Sequence, residues 1–307
     1  MSMTNTTASV MPKSLVEIAR CETRRKKVLP GQLISIGVTH LILVAISMAM
    51  ILPFIWMVLT SLKTLDEIGT TTWLPKQAQW ENYNRVFDTP DVNSADVQFG
   101  RWYWNSLFIA AWTTFLQVLT SAMAAYSFSR LQWPGRDKIF LLYLSTMMLP
   151  GLVMMIPNYQ IMVSLGWVDT FMGLIVPGAF TAFGTFLLRQ FMLTIPSSLD
   201  EAAEIDGAGK WRIFWEIILP LSRPGLITLT IFTFIGVYQG FAWPLVMLKS
   251  GHKYTLPIGL MYFDSSQGQE THLLMAATTL SVLPLIVLFV VMQKYLVKGI
   301  QMGAVKG

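Results

Sequence analysis

Long apolar stretches separated by short polar segments dominate the sequence from about residue 33 onwards. Six of these stretches contain no Asp, Glu, Lys or Arg, and each is near or above the length of about 20 residues that crosses a bilayer as a helix. They cover residues 33–62, 102–129, 139–168, 170–188, 224–248 and 273–293. The pattern predicts an all-α integral membrane protein with six transmembrane helices, the third stretch being long enough for a span and a short apolar hairpin.

The composition agrees with this prediction. Of the 307 residues, 53% are hydrophobic and only 13% are charged, and the mean hydropathy is +0.53. A soluble domain carries about 25% charged residues. The sequence therefore predicts that the protein is embedded in a lipid bilayer.

The positions of the basic residues predict the orientation, because Lys and Arg of short loops stay on the cytoplasmic side. Most of the 22 basic residues fall in residues 1–32, 130–138 and 189–223 and after residue 293. We therefore expect both termini in the cytoplasm, with a basic segment at 1–32, a six-span domain at 33–307 and a cytoplasmic loop at about 190–222. Since orientation explains these charges, we expect no nucleic-acid partner despite a pI of about 9.3.

The cytoplasmic loop contains EAAEIDGAGK at residues 201–210, whose end resembles a phosphate-binding loop. That motif needs a glycine five residues before the Gly-Lys pair and a hydroxyl residue after it, directly following a buried strand. Here those positions hold Glu204 and Trp211, and the preceding residues have a helix-start pattern. We therefore expect no nucleotide, metal or other cofactor in this chain, and no catalytic residue.

The same loop predicts two short helices. The first covers 197–206, with Ser198 and Glu201 at capping-box spacing, and Gly207 is expected to end it in a left-handed conformation. The alanines Ala202 and Ala203 offer a surface without side-chain bulk. The second helix covers 210–219 and is rich in aromatic and aliphatic residues. A helix of about ten residues is marginal in water, so we expect it to pack against its own bundle or against a partner.

A solute path is suggested by the fifth stretch. Thr233, Gln239 and Trp243 recur at helical spacing with glycines between them, giving a face that suits a neutral polyhydroxyl ligand. A helix-packing seam of small residues is at least as good an interpretation. An ion-coupled secondary carrier is the main alternative in function, but such carriers use ionisable groups at mid-depth, and none of the six stretches has an acidic or basic residue there.

Several short motifs resemble the permease subunits of binding-protein-dependent ABC importers, specifically the carbohydrate branch typified by the smaller permease of the maltose system. In the loop these are EAA at 201–203, DGA at 206–208 and LP at 219–220. Three further stretches are similar to the same branch: NSL at 105–107, FSRLQWPGR at 128–136 and GIQMGAVKG at 299–307.

The resemblance implies a type I importer subunit of the bacterial cytoplasmic (inner) membrane, carrying a sugar, a polyol or a glycerol phosphate. It implies three partners: a second, different permease, a cytoplasmic ATPase homodimer that binds ATP and Mg²⁺, and an extracytoplasmic solute-binding protein. The residues that it implies couple to the ATPase are Glu201, Ala202, Ala203, Asp206 and Gly207. The tail that it implies contacts the ATPase is Gly303, Ala304, Val305, Lys306 and Gly307.

Overall fold

A computed structural model describes the backbone of residues 30–70, 72–87, 98–266 and 270–304, and the side chains of 36–70, 72–87, 98–261 and 270–294. Throughout these residues the regular structure is helical. The helices are α1 (Pro30–Ser61), α2 (Leu65–Ile68), α3 (Glu81–Arg85), α4 (Phe99–Arg130), α5 (Arg136–Ser145), α6 (Gly151–Ser164), α7 (Met172–Gly178), α8 (Ala182–Leu193), α9 (Ser198–Ile205), α10 (Lys210–Leu221), α11 (Arg223–Tyr238), α12 (Ala242–Met247), α13 (Leu256–Ser266) and α14 (Thr271–Ala304).

The chain divides into two compact units, Met1–Ile55 and Trp56–Gly307. The described part of the first unit is helical and belongs to α1. The second unit contains the other helices and the packed cores described below.

The described residues contain four candidate membrane spans, Ile36–Ser61, Phe99–Arg130, Met172–Leu193 and Thr271–Lys294. Two further helix pairs are apolar enough to span but are bent, Arg136–Met148 with Gly151–Ser164 by 100° and Lys210–Leu221 with Arg223–Tyr238 by 75°. The number of six is reached when each bent pair counts as one span, but the second pair includes Lys210–Leu221, which the sequence predicts to lie in the loop rather than in a span.

The third predicted stretch is bent rather than continuous, and Pro150 explains the bend. A proline pushes the residue before it out of the helical region, and Leu149 accordingly has φ −80° and ψ 121°. The backbone turns at this point between the short helix that ends at Met148 and α6. The expected span followed by a hairpin is therefore replaced by two short helices at a steep angle.

The fifth predicted stretch is also interrupted, which corrects the expected helical face. Helix α11 ends at Tyr238, and α12 begins at Ala242. Pro244 has no N–H for the carbonyl four residues earlier, and its ring would clash there, so a continuous helix through Gly240 is disfavoured. Gln239 lies at the end of α11 and Trp243 lies in α12, so Thr233, Gln239 and Trp243 do not share one helix face.

Helix α4 is at the centre of the second unit. It packs against α8 and α11, and α11 packs in turn against α14. One buried cluster surrounds Trp102 and Tyr238 near the start of α4. Another surrounds Ala125 and Leu188 near its end, next to the loop that carries α9 and α10. The two ends of α4 thus lie in two separate packed clusters.

Candidate functional site

The predicted glycine turn in the loop after α8 is present. Gly207 has φ +79°, in the left-handed region. The N–H of Ala208 donates to the carbonyl of Ala203 at 2.9 Å, and the N–H of Gly207 donates to the carbonyl of Glu204 at 3.0 Å. This pair of bonds is the Schellman arrangement, which satisfies the last carbonyls of a helix and requires positive φ at the glycine position.

The start of α9 differs from the expected capping box. Ser197 is the N-terminal flanking residue, but its backbone is helical at φ −67° and ψ −23°, and no side-chain cap bond forms. A capping side chain needs an extended backbone to reach the free N–H groups of the first turn. The acidic first turn, Asp200 and Glu201, agrees with a favourable charge at the positive end of the helix dipole.

The residues that the family resemblance singles out lie on two sides of α9. Glu201, Ala202, Asp206 and Gly207 are exposed. Ala203 is buried at 8% exposure and belongs to the cluster around Leu188 of α8 and Ala125 of α4. The two alanines therefore have different surroundings. Ala202 faces outwards and adds little side-chain bulk there, whereas Ala203 faces inwards and lets α9 lie close to its own bundle.

Helix α10 packs against its own bundle, as expected for a short apolar helix. Its central part, Ile213–Ile218, is a π-helix, and Ile213, Phe214 and Ile218 are at most 1% exposed. Trp211 and Trp215 remain 63% and 48% exposed. The packed half fixes α10 to the end of α4, while the exposed tryptophans form an aromatic surface beside α9.

An arginine from the FSRLQWPGR motif joins α4 to this loop. The guanidinium of Arg130 forms an ion pair with Asp200, with 3.0 Å between Nη1 and Oδ2, and their side chains are 8% and 17% exposed. It also donates to the carbonyls of Met192 and Ile195. One side chain therefore binds the end of α8, the connection and the first turn of α9. Sequence reasoning used Arg130 only as an orientation charge and missed this role.

A second arginine fixes the rest of the same motif. Arg189 of α8 donates from Nε to the carbonyl of Phe128 at 3.1 Å, and its guanidinium lies 4.2 Å from the ring centre of Phe140. A cation over an aromatic face is electrostatically favourable. Arg189 thus holds the start of the motif, at Phe128, against α8.

The NSL motif lies at the opposite end of α4 and holds the loop between α12 and α13. The amide of Asn105 donates to the carbonyls of His252 and Tyr254, both at 3.0 Å. The hydroxyl of Ser106 accepts the N–H of Leu256 at 2.7 Å. These bonds pair backbone groups that the loop cannot satisfy by itself, so the motif has a local structural role.

The same loop is also bound by Asp169 from the α6–α7 connection. Its carboxylate accepts the N–H groups of Lys249 and Ser250 at 2.9 and 3.0 Å, the Ser250 hydroxyl at 2.6 Å and the Lys253 ammonium at 2.9 Å. Its own N–H donates to the carbonyl of Met247 at 2.8 Å. Burial raises the pKa of the Asp169 carboxyl, but these hydrogen bonds outweigh it and hold the pKa well below its usual range.

A cavity of about 630 Å³ lies beside this loop, within the size range of small-molecule sites. Helices α4, α6, α7, α11 and α12 contribute to it, and most of its lining is apolar or glycine. The lining residues with polar atoms in their side chains are Ser106, Thr113, Asn158, Trp243 and Thr255.

Of the three residues predicted to form a solute path, one lines this cavity and two do not. Trp243 lines it, with the indole N–H donating to the carbonyl of Gly173 at 3.1 Å. Thr233 is buried outside the lining and accepts a hydrogen bond from Gln117 at 2.9 Å. Gln239 is exposed and does not line the cavity. Sequence reasoning missed Thr113, Asn158 and Thr255, which come from three other segments.

The predicted tail is described only in part. Gly303 and Ala304 end the backbone of α14. Val305, Lys306 and Gly307 lie outside the described residues. Their contact with an ATPase stays a prediction.

The fold and these two regions together define a polytopic helical membrane protein. Residues 117–302 match the family described as "Binding-protein-dependent transport system inner membrane component", and the chain belongs to this family. The matched residues include the loop with α9 and α10 and most of the helices that line the cavity.

Curated relatives cover most of the chain. The arabinooligosaccharides transport system permease protein AraQ of Bacillus subtilis is 33% identical over 266 residues, which are 85% of this chain and 92% of the relative. The sn-glycerol-3-phosphate transport system permease protein UgpE of Yersinia enterocolitica is 34% identical over 231 residues, 75% and 82% of the two chains. The chain is therefore similar to permeases of sugar and glycerol-phosphate ABC transporters.

A solved structure has the same fold. It is a chain of a bacterial ABC transporter involved in the import of the acidic polysaccharide alginate, with a TM-score of 0.75 and 24% identity. The match covers 87% of this chain and 98% of that chain. The architecture is therefore that of a type I ABC importer permease.

Proposed function

We propose that this chain is one of two different permease subunits in an ATP-driven, binding-protein-dependent importer of a sugar or a related polyhydroxyl solute. In this proposal both termini and the α9–α10 loop face the cytoplasm of a bacterium, and the chain lies in the cytoplasmic (inner) membrane. ATP and Mg²⁺ bind to a separate ATPase homodimer, so this chain has no catalytic residue and no cofactor. An extracytoplasmic binding protein delivers the solute.

The arrangement of α9 is the observation that carries the proposal. A short helix with an acidic first turn, an exposed Ala202 and a fixed left-handed end is held to the bundle by Arg130 and by the buried side of α10. Such an element presents an exposed Ala202 without side-chain bulk and is anchored to its own bundle. Both properties suit docking into a partner that closes when it binds ATP.

We assign the coupling role to Glu201, Ala202, Asp206 and Gly207, with Ala203 seating the helix on its own bundle. The tail from Gly303 to Gly307 is proposed as a second ATPase contact. In the proposed solute path, Trp243 lines the cavity. Thr233 and Gln239 belong to α11 and its end, which come just before the segment that carries Trp243.

The proposal defines the solute only by its chemical class. Arabinooligosaccharides and sn-glycerol 3-phosphate both occur in the names of relatives of similar identity. A third relative, the diacetylchitobiose uptake system permease protein NgcG of Streptomyces coelicolor, is 29% identical over 272 residues, 87% of this chain and 88% of the relative. These names include both neutral saccharides and a phosphate ester, so they define the solute only as a sugar or a related polyhydroxyl compound.

The test is affinity purification of the tagged chain from detergent-solubilised native membranes, with mass spectrometry of the proteins that co-purify. We expect an ATPase, a second polytopic permease and a binding protein, and ATP-dependent uptake after reconstitution into liposomes. Recovery of the chain alone, with solute uptake in vesicles that lack ATP, would instead support an ion-coupled secondary carrier.

A further inference from the structure

A second cavity, of about 280 Å³, lies between the end of α4 and the start of α10. Its lining is mostly carbon and includes Met123, Ser127 and Leu131 on one side and Lys210, Trp211 and Phe214 on the other. Met123 is 40% exposed and Trp211 is 63% exposed. The cavity is therefore an apolar groove that is open at the surface of the bundle, and we call it the α4–α10 groove.

The α4–α10 groove lies at the level where membrane spans end. The candidate span Phe99–Arg130 finishes with the charged Arg130, directly before the groove residue Leu131. On the other side of the groove, α10 is bent by 75° from the apolar helix α11 that follows it. Because α11 is the part of this pair that the hydropathy pattern places in the bilayer, α10 lies nearly parallel to the membrane surface.

Helix α10 has the two faces of a helix at a membrane surface. Ile213, Phe214 and Ile218 are at most 1% exposed and face the bundle, whereas Trp211 and Trp215, one turn apart, are 63% and 48% exposed. Tryptophan is enriched at the level of lipid headgroups, because its ring has an apolar body and one polar N–H. The outward row of α10 is therefore suited to contact with lipid.

Lys210 supplies a positive charge in the groove. The hydroxyl of Tyr126 donates to its backbone carbonyl at 2.9 Å, which fixes the start of α10 against the end of α4. Its ammonium group forms an ion pair with Glu204, and the two side chains are 57% and 46% exposed. An exposed pair of this kind is weak, so an anionic ligand in the groove can compete with the carboxylate for this ammonium group.

A second positive charge lies beside Leu131. Arg136 donates from Nη1 to the carbonyl of Leu131 at 3.2 Å. Its acidic neighbour Asp137 is shared, at 3.0 Å from Arg136 and 3.7 Å from Arg189. One carboxylate between two guanidinium groups leaves a net positive charge next to the groove. Basic pockets between membrane helices bind anionic lipid headgroups.

We propose that the α4–α10 groove binds one anionic phospholipid. An acyl chain lies between Met123 and Phe214, the phosphate contacts Lys210 and Arg136, and Trp211 lies beside the headgroup. The lipid holds the start of α10, three residues after the turn at Gly207. This inference goes beyond the proposed function, in which no lipid is a ligand, and it takes from that function only the position of the loop at the cytoplasmic surface.

The test uses the complete importer, with its ATPase, second permease and binding protein, in phosphatidylcholine vesicles. The probe is a trace of phosphatidylglycerol with a photoreactive group on one acyl chain, and mass spectrometry identifies the labelled peptides. We expect labelling within residues 123–131 and 210–215 that added phosphatidylglycerol removes. Additional phosphatidylcholine should leave it unchanged.

Two variants test the two parts of the groove. Lys210→Gln should lower the labelling about fivefold, the effect of one basic residue at an anionic surface. Met123→Trp places a larger ring in the groove and should remove most of the labelling. Both positions are exposed, so we expect these proteins to fold and to assemble with the ATPase as the unmodified chain does.

Each variant has a matched control. Arg212→Gln removes a positive charge from the same helix at a residue outside the lining, so it should lower the labelling clearly less than Lys210→Gln does. Phe115→Trp introduces the same ring on α4 at a residue that is 57% exposed and outside the lining. This protein should be labelled as the unmodified importer is.

A photoreactive residue in the groove distinguishes lipid from a protein occupant. With Met123 replaced by benzoylphenylalanine in the same importer, illumination should attach a phospholipid to this chain. Attachment to the ATPase or to the second permease would assign the groove to that protein and overturn the inference.

Two further results would also contradict a lipid site. The first is equal labelling of the groove by photoreactive phosphatidylcholine, and the second is an equal loss of labelling in Lys210→Gln and Arg212→Gln, which would indicate only a general attraction of anionic lipid to the loop. All of these results are obtained on an importer that assembles and hydrolyses ATP. Failure of the chain to assemble with an ATPase would instead contradict the proposed function.

Discussion

Arg130 at the end of α4 and Asp200 in the first turn of α9 form an ion pair across 3.0 Å, and both side chains are largely buried. The same guanidinium binds the carbonyls of Met192 and Ile195. The pair therefore connects a membrane-spanning helix directly to the proposed coupling helix.

We expect Arg130→Met to uncouple the importer. Removing one partner of a buried pair leaves the other charge uncompensated, which typically costs about 3–5 kcal/mol. The connection between α8 and α9 should loosen, so that ATP hydrolysis continues while solute uptake per ATP falls severalfold. The measurement is the ratio of uptake to hydrolysis in liposomes, together with the melting temperature of the purified complex.

Arg212→Met is the control for this exchange. Arg212 pairs with Glu216 one helical turn away, and the two side chains are 66% and 60% exposed. Exposed pairs of this kind contribute little, so the variant should behave as the unmodified protein. Equal behaviour of the two variants would mean that Arg130 does not hold the loop.

Replacing Gly207 tests the geometry of the turn after α9. No atom of this chain lies within 4 Å of a Cβ built there, so within this chain the effect of Gly207→Val comes from the positive φ of the backbone and not from a clash. A β-branched residue strongly disfavours this conformation. We expect a normally inserted protein with greatly reduced uptake, measured against its level in the membrane.

Gly209→Val is a close control, since Gly209 is also free of neighbours within 4 Å but has an extended backbone with φ −71° and ψ 161°. Valine adopts that conformation readily, and uptake should be retained. Asparagine tolerates positive φ, so Gly207→Asn should recover part of the activity. Full uptake by Gly207→Val would contradict the proposed role of the turn.

The packing of α10 gives a prediction on stability. Phe214 is 1% exposed and contacts the ring of Tyr126, with 5.1 Å between ring centres. Phe214→Ala should lower the free energy of unfolding by about 3–5 kcal/mol, as is typical of a buried phenylalanine. The melting temperature in detergent provides the measurement. Trp215→Ala, at a residue 48% exposed, should have a much smaller effect, and a larger loss there would indicate that α10 packs on its other face.

Asp169 gives a prediction on pH. Its folded-state pKa lies below the usual value, so the carboxylate stabilises the loop above about pH 4, the ordinary pKa of Asp. This stabilisation is lost as the pH falls through the lower folded-state pKa. Melting temperatures of the wild type and of Asp169→Asn should differ at pH 7 and converge in strong acid. Asparagine suits the left-handed φ of 57° at this residue, so the backbone is preserved.

Asp66→Asn is the control for the pH series, because Asp66 is exposed in a short helix elsewhere in the chain. Its melting curve should follow that of the wild type at every pH. Curves for Asp169→Asn that run parallel to the wild type down to strong acid would show that the carboxylate charge does not hold the loop.

The sequence predicted the straight spans well. The stretch 102–129 became Phe99–Arg130, and 273–293 lies within Thr271–Ala304, because uninterrupted apolar residues between charged ends favour one long helix. Pro150 and Pro244 were visible within apolar stretches, but hydropathy does not tell whether a proline kinks a helix or ends it. Within a bilayer, breaks such as this 100° bend and the one before α12 are tolerated only where the freed backbone groups are satisfied by surrounding protein or water, which hydropathy does not describe.

The candidate sites were predictable only where they are local in sequence. The turn at Gly207 depends on residues within one helix end, and it is present as predicted. The Arg130–Asp200 pair joins residues 70 positions apart, and Thr113 and Thr255, which are 142 positions apart, line one cavity. A single sequence contains no signal for such distant contacts, so charge and hydroxyl positions alone left them unassigned.

Helix α4 also connects the loop region and the cavity without a break. Arg130 at one end holds the proposed coupling helix, whereas Thr113, on the same unbroken helix, lines the cavity. At 1.5 Å per residue the two positions lie about 25 Å apart along the axis, so a tilt of about 10° pivoting at Arg130 would displace Thr113 by about 4 Å. A small rotation at the end of α4 beside the loop would thus be enough to move this part of the cavity wall, without any change of secondary structure between the two points.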